Sequence, residues 1–204
     1  MKKQIVYIHG ADAFSEYGAF LESLKTRDIG DPLSERPKRW PDTLRSELGD
    51  TFEVFMPAMP NKQNAHYEEW KIWFERHVPF LRDGVILVGW SQGGYFLAKY
   101  LSENAVPFSI RALYLVAAPI GRENFGGEDG GDFNFDTSRL PTLQEKVANV
   151  YIFHSKDDPV VPYTHAEAYK KMLPGAQLVS FEDRGHFLVE DFSELLAHLR
   201  ETLD

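Results

Sequence analysis

A serine with a glycine two residues to either side, Gly89-Trp90-Ser91-Gln92-Gly93, stands between two apolar stretches. A serine hydroxyl is a weak nucleophile at its own pKa and needs a neighbouring base. It must also stand clear of its own backbone, so that a carbonyl can approach. A sharp strand-to-helix turn achieves this, and the flanking glycines leave the room that such a turn needs. Val85-Ile86-Leu87-Val88 before it reads as a buried strand, and Tyr95, Phe96, Leu97, Ala98, Tyr100 and Leu101 after it read as a buried helix. The N–H of Gln92, at the start of that helix, is the natural donor to a developing oxyanion. The competing reading is a glycine-rich turn with an ordinary N-cap serine.

A serine nucleophile requires a histidine, and the histidine requires an orienting carboxylate. Both belong on loops at the carboxyl ends of later strands, acid before histidine. Val150-Tyr151-Ile152-Phe153-His154 is followed by Ser155-Lys156-Asp157-Asp158-Pro159-Val160-Val161-Pro162. Gln177-Leu178-Val179-Ser180-Phe181 is followed by Glu182-Asp183-Arg184-Gly185-His186-Phe187. The order Ser91, aspartate, His186 is therefore present, with Asp157 and Asp158 both open for the middle place.

With His9-Gly10 after the first strand, these motifs resemble the α/β-hydrolase family, and most closely its compact, lid-poor branch of retinoblastoma-binding serine hydrolases. The resemblance runs over nearly the whole chain. It implies Ser91 as nucleophile, His186 as general base and then acid, and an aspartate four residues ahead of the proline in D-x-x-V-P. Counting back from Pro162 selects Asp158, with Asp157 as the fallback and otherwise a solvated turn residue. The resemblance also implies the N–H of Ala11 as second oxyanion donor beside Gln92. Alanine departs here from the glycine or bulky residue common after His-Gly. His9 is expected to hold this loop by hydrogen bonding. No cofactor and no metal ion are expected, and the substrate class implied is a small ester cleaved through an acyl-enzyme. A thioesterase, amidase or peptidase would use the same groups, and a protein-binding module on a hydrolase fold is the alternative from another class.

The elements that must position these residues alternate along the chain. Strands are expected at Gln4-Ile5-Val6-Tyr7-Ile8, Phe52-Glu53-Val54-Phe55-Met56, the run before Ser91, Ala112-Leu113-Tyr114-Leu115-Val116-Ala117, and the two runs that precede the acid and histidine loops. Helical patterns occupy 42–48, 66–80, 91–103, 163–172 and 191–203, with Trp70, Trp73, Phe74 and His77 sharing one face of the second. Phe192, Leu195, Leu196 and Leu199 form the apolar stripe of the last. Such alternation predicts βαβ units and a mostly parallel central sheet in a three-layer α/β/α sandwich, with minimal or no cap, as one domain over residues 1–204.

Two stretches break the alternation. Residues 15–41 are polar and charged, with a short helix expected over 16–24. Residues 121–138 are glycine-rich and acidic, and carry Phe125, Phe133 and Phe135. Both read either as solvated loops or as borders of the site, the phenylalanines then forming a small flap.

Composition narrows the partners. The chain of 204 residues is 43% apolar and 26% charged, which is globular usage. A net charge of -9 argues against nucleic acid or an anionic membrane. There is no cysteine, so thiol catalysis and disulfides are excluded. No apolar run is long enough to span a membrane, and Met1-Lys2-Lys3 leads straight into a strand, so a cytoplasmic location is expected. A protein partner is allowed but nowhere indicated. His154 reads as a core histidine, and His66, His77, His165 and His198 as surface or packing residues without metal-ligand spacing. The acidic run 129–136 does not match an EF-hand. Arg36, Lys38 and Arg39 could meet an acidic substrate, against the reading of a solvated charge run.

Overall fold

The computed structural model describes residues 2–121 and 129–202. Six strands form one parallel sheet in the order β2-β1-β3-β4-β5-β6: β1 (Lys3–Ile8), β2 (Phe52–Phe55), β3 (Val85–Trp90), β4 (Ile110–Val116), β5 (Val147–Ser155) and β6 (Gln177–Phe181). All six were expected from the apolar runs. The nearly continuous apolar character of β1, β3 and β4 follows from burial on both faces.

Side chains still alternate between two layers. Val6, Ile8, Leu87, Leu113 and Leu115 join the core beneath α3 (Tyr67–Glu75), α4 (Gln92–Glu103) and α5 (Thr164–Met172). Ile5, Tyr7, Ile86, Val88 and Tyr114 join the core beneath α2 (Trp40–Leu48) and α6 (Ser193–Glu201). The central helix α4 is buried from Gln92 through Ser102. Among the described residues, no helix is long and apolar enough to cross a membrane.

Three expectations change. The helical pattern over 66–80 divides into α3 and a short 3-10 turn at Val78–Phe80, because Pro79 has no N–H to continue the ladder. Tyr67, Trp70 and Phe74 make its buried face, whereas Trp73 is exposed beneath the Arg76 guanidinium. The flap reading fails at Phe133, which is fully buried against Tyr67 and Trp70. Phe135 packs against Tyr95, and Phe125 lies outside the described residues. The helix in the first polar stretch, α1 (Tyr17–Thr26), buries none of its side chains.

The sheet order places the switch point between β1 and β3. The chain passes from β1 outward to β2, then returns on the other side of β1 to β3. Loops leaving β1 and β3 therefore diverge to opposite faces and leave a crevice at their carboxyl ends, where ligands of open α/β sheets bind.

Candidate active site

The serine sits in that crevice. Ser91 follows β3 directly and caps α4 with φ 53° and ψ -124°, a backbone conformation costly for any residue with a Cβ. Its N–H is held by the carbonyl of Val116 at 2.8 Å, and its carbonyl accepts from Gly94 and Tyr95 at 2.9 and 3.2 Å. The strained residue is thus fixed from both sides. A Cβ at Gly89 would lie 2.5 Å from the Cα of Gly94, and one at Gly93 only 2.2 Å from the carbonyl oxygen of Ile8. The glycines are required because the elbow packs backbone on backbone, against its own helix and against β1.

The β1 loop closes over the serine. A Cβ on Gly10 would stand 3.1 Å from the Cβ of Ser91. The His9 ring holds this loop: its Nδ1–H donates to the Gly10 carbonyl at 2.8 Å, and its Nε2 accepts from the Met59 N–H at 3.0 Å. The bond accepted at Nε2 needs the neutral ring, and burial pushes the pKa of His9 down. His9 therefore supports the loop, as expected. Ala11 and Gln92 line one cavity of about 580 Å³ together with Ser91 and His186. Gln92 is the first residue of α4, so its N–H has no carbonyl within the helix to meet.

The structure distinguishes the two aspartates. Asp158 is buried, and its Oδ2 accepts from Nδ1 of His186 at 2.8 Å. Its Oδ1 accepts from the N–H groups of Val160 and Val161 at 2.8 and 2.9 Å. With Nδ1–H given to a carboxylate, the free lone pair of the His186 ring lies on Nε2, the form a general base requires. Asp157 is exposed and turns the other way, accepting from the Gly185 N–H at 2.9 Å and from the Ser155 hydroxyl. It is more than a solvated turn residue, since it ties the acid loop to the histidine loop. These bonds hold its carboxyl below the usual carboxylate range. Ser155 also accepts from the Arg184 N–H at 2.9 Å.

His186 is clamped by its neighbours. Gly185 and Phe187 on either side of it have φ of 50° and 54°. A phenylalanine in that region is strained, at a cost of about 1–2 kcal/mol. Complete burial of the Phe187 ring among Phe181 and Phe192 offsets this, at about 1.5–3 kcal/mol. Trp90 adds a direct link, its Nε1–H donating to the His186 carbonyl at 3.1 Å. The residue before the serine thereby holds the backbone of the histidine. Sequence reasoning missed this contact, since the variable place in G-x-S-x-G carries no spacing signal.

His154 is a core histidine, as expected, but it also stands beside the site. Its Nε2–H donates to the Val161 carbonyl at 2.8 Å, and the same nitrogen lies 3.6 Å from Oδ2 of Asp158. Burial lowers its pKa, so the neutral ring supports the loop that carries Asp158.

Known proteins bear on this arrangement. The family model described as "Serine hydrolase" matches residues 34–199. Serine hydrolase RBBP9 of Rattus norvegicus is 26% identical over 155 residues, covering 74% of this chain and 78% of its own. The solved structure of the ydeN gene product of B. subtilis superposes with a TM-score of 0.75 at 19% identity, covering 99% of both chains. A meta-cleavage product hydrolase from Pseudomonas fluorescens superposes at 0.67 with 14% identity, covering 98% of this chain and 90% of its own. A thioesterase domain from the curacin biosynthetic pathway superposes at 0.63 with 13% identity, covering 100% and 92%. With a parallel sheet in this strand order and a family match spanning most of its length, the chain belongs to the serine hydrolase family of the α/β-hydrolase superfamily.

Proposed function

We propose that this serine hydrolase is a carboxylesterase acting on small esters through Ser91, His186 and Asp158. The observation that carries the reading is the buried 2.8 Å bond from His186 to Asp158, in a cavity that also exposes a serine on a strained elbow. In this mechanism His186 Nε2 takes the Ser91 proton as Oγ bonds to the carbonyl carbon. The N–H groups of Ala11 and Gln92 hold the oxyanion, a contribution on the order of 10²–10³ in rate per donor. The C–O bond to the alcohol then breaks, and His186 returns the proton to the leaving oxygen. Water, activated by the same ring, cleaves the acyl-enzyme.

Ser91→Ala is expected to lower kcat on a short p-nitrophenyl ester by on the order of 10⁴–10⁶ with the far-ultraviolet circular dichroism unchanged. Undiminished turnover by the folded variant would remove Ser91 from the chemistry. Thioesters, amides and peptides present the same carbonyl, so a substrate panel decides among leaving groups. A protein-binding role is favoured by one observation: α1 buries no side chain, and Ile29 and Leu33 beyond it are largely exposed. Labelling of Ser91 by a fluorophosphonate supports the enzyme, and a folded protein that refuses the probe supports the binding module.

A further inference from the structure

The cavity over Ser91 has an unusual charge for this chain. The protein carries a net charge of -9, yet Arg27, Arg39 and Lys62 line the cavity, with Asp12 as the only carboxylate among its described lining residues. Arg27 is matched by Asp12 at 2.5 Å. Arg39 and Lys62 have no ion-pair partner among the described residues. Asp42, the carboxylate whose field reaches Arg39, is already held by both its oxygens on Arg36 at 2.8 and 2.9 Å. Of the three cations 36, 38 and 39, Arg36 is thus neutralised on the surface, and Arg39 is left half-buried at the mouth of the site.

Both free cations are carried on anchored backbone. The Arg39 N–H donates to Asp42 at 2.8 Å, and the next residue, Trp40, donates to the Val189 carbonyl at 2.8 Å, three residues from His186. The carbonyl of Lys62 accepts from Asp12 at 2.9 Å, and the Asp12 carbonyl accepts from Ala65 at 2.8 Å. These bonds fasten the segment of Lys62 to the loop that carries Ala11. Positive charge is therefore gathered in the cavity that holds the serine, beside the apolar groups of Trp90, Pro119, Pro159 and Leu188. Such a cleft concentrates anions against the repulsion of the remaining surface.

We propose that the substrate is an ester bearing a carboxylate, and that Arg39 and Lys62 receive that carboxylate while Ser91 attacks the ester carbonyl. The inference rests on the esterase reading above and specifies its substrate class. A carboxylate held by an arginine gains bidentate, charge-assisted hydrogen bonds that a neutral isostere cannot make.

The test compares matched pairs of esters. Mono-4-nitrophenyl adipate against 4-nitrophenyl hexanoate places the charge on the acyl part. 4-Carboxyphenyl acetate against 4-carbamoylphenyl acetate places it on the leaving group. In at least one pair, kcat/KM for the anionic member is expected to exceed its neutral partner by about tenfold or more at low salt. The ratio is expected to shrink as ionic strength rises, and to approach one in Arg39→Gln/Lys62→Gln. Equal or better turnover of both neutral members overturns the proposal and leaves the esterase reading standing. A preference that survives unchanged in the double variant overturns the assignment to these two side chains. If no ester is cleaved and fluorophosphonate leaves Ser91 unlabelled, the esterase reading falls and takes this inference with it.

Discussion

The site is assembled from two halves that are held by opposite means. The serine half, the β1 loop and the β3–α4 elbow, is backbone pressed on backbone. At Gly89 and Gly93 any side chain would collide with main-chain atoms at 2.2–2.7 Å. The acid and histidine half, the loops after β5 and β6, is held by side chains. Asp157 and Ser155 join the two loops, Asp158 takes three donors, and Phe187 pins the end of the histidine loop in the core. A half built by exclusion tolerates no addition, whereas a half built by bonds weakens in steps as bonds are removed. Trp90 spans the two, donating from the elbow to the His186 carbonyl.

The hardest blow to the first half is Gly93→Ala. The new methyl would sit 2.2 Å from the Ile8 carbonyl and 2.7 Å from that of His9, so β1 must move. Chemical denaturation is expected to show a loss on the order of 3–5 kcal/mol, with activity falling alongside. A variant as stable as the parent would mean that the elbow does not rest on β1.

The second half is probed by its two neighbouring carboxylates. Asp158→Asn keeps the shape but removes the charge that orients His186, and kcat is expected to fall on the order of 10³–10⁴. Asp157→Asn removes only a tie between loops, and kcat is expected to stay within about tenfold of the parent. Equal losses in the two variants would erase the division of labour drawn from their different partners.

The smallest effect expected is on stability against pH. Burial depresses the pKa of both His9 and His154. The unfolded chain therefore takes up protons near the ordinary histidine pKa that the folded chain still refuses. Stability is intact above that pKa and declines as pH falls below it towards the depressed folded values. Each ring contributes a slope of at most about 1.4 kcal/mol per pH unit. Urea midpoints measured from neutral to mildly acidic pH should fall, and His154→Gln should flatten the decline. A slope unchanged in that variant would show that His154 is not held neutral.

The two halves also differ in how they could be read from the sequence. The glycine spacing around Ser91 announces its geometry because main-chain sterics act between near neighbours. The six apolar runs announce the strands for the same local reason, and the order of serine, aspartate and histidine follows from the order of the strands. The D-x-x-V-P spacing selected Asp158 only through likeness to a family. In the structure the two aspartates part because one points inward to His186 and the other outward to Gly185. The buried face of α3 was partly misread, since Trp73 and Trp70 are equally apolar in sequence and differ only in what packs above them.

Local pattern by itself thus settled the parallel sheet, the elbow and the loops on which the serine, the aspartates and the histidine stand. Tertiary structure alone decided that Trp90 holds His186, that Phe133 belongs to the core, and that Arg39 and Lys62 line the cavity of the serine while Arg36 is spent on Asp42. The physical reason is range. Backbone sterics and apolar periodicity act over a few residues and leave a mark in the order of residue types. Convergence of side chains far apart along the chain, as Trp90 and His186 are, depends on which strands lie side by side, and on what burial leaves each chain free to meet.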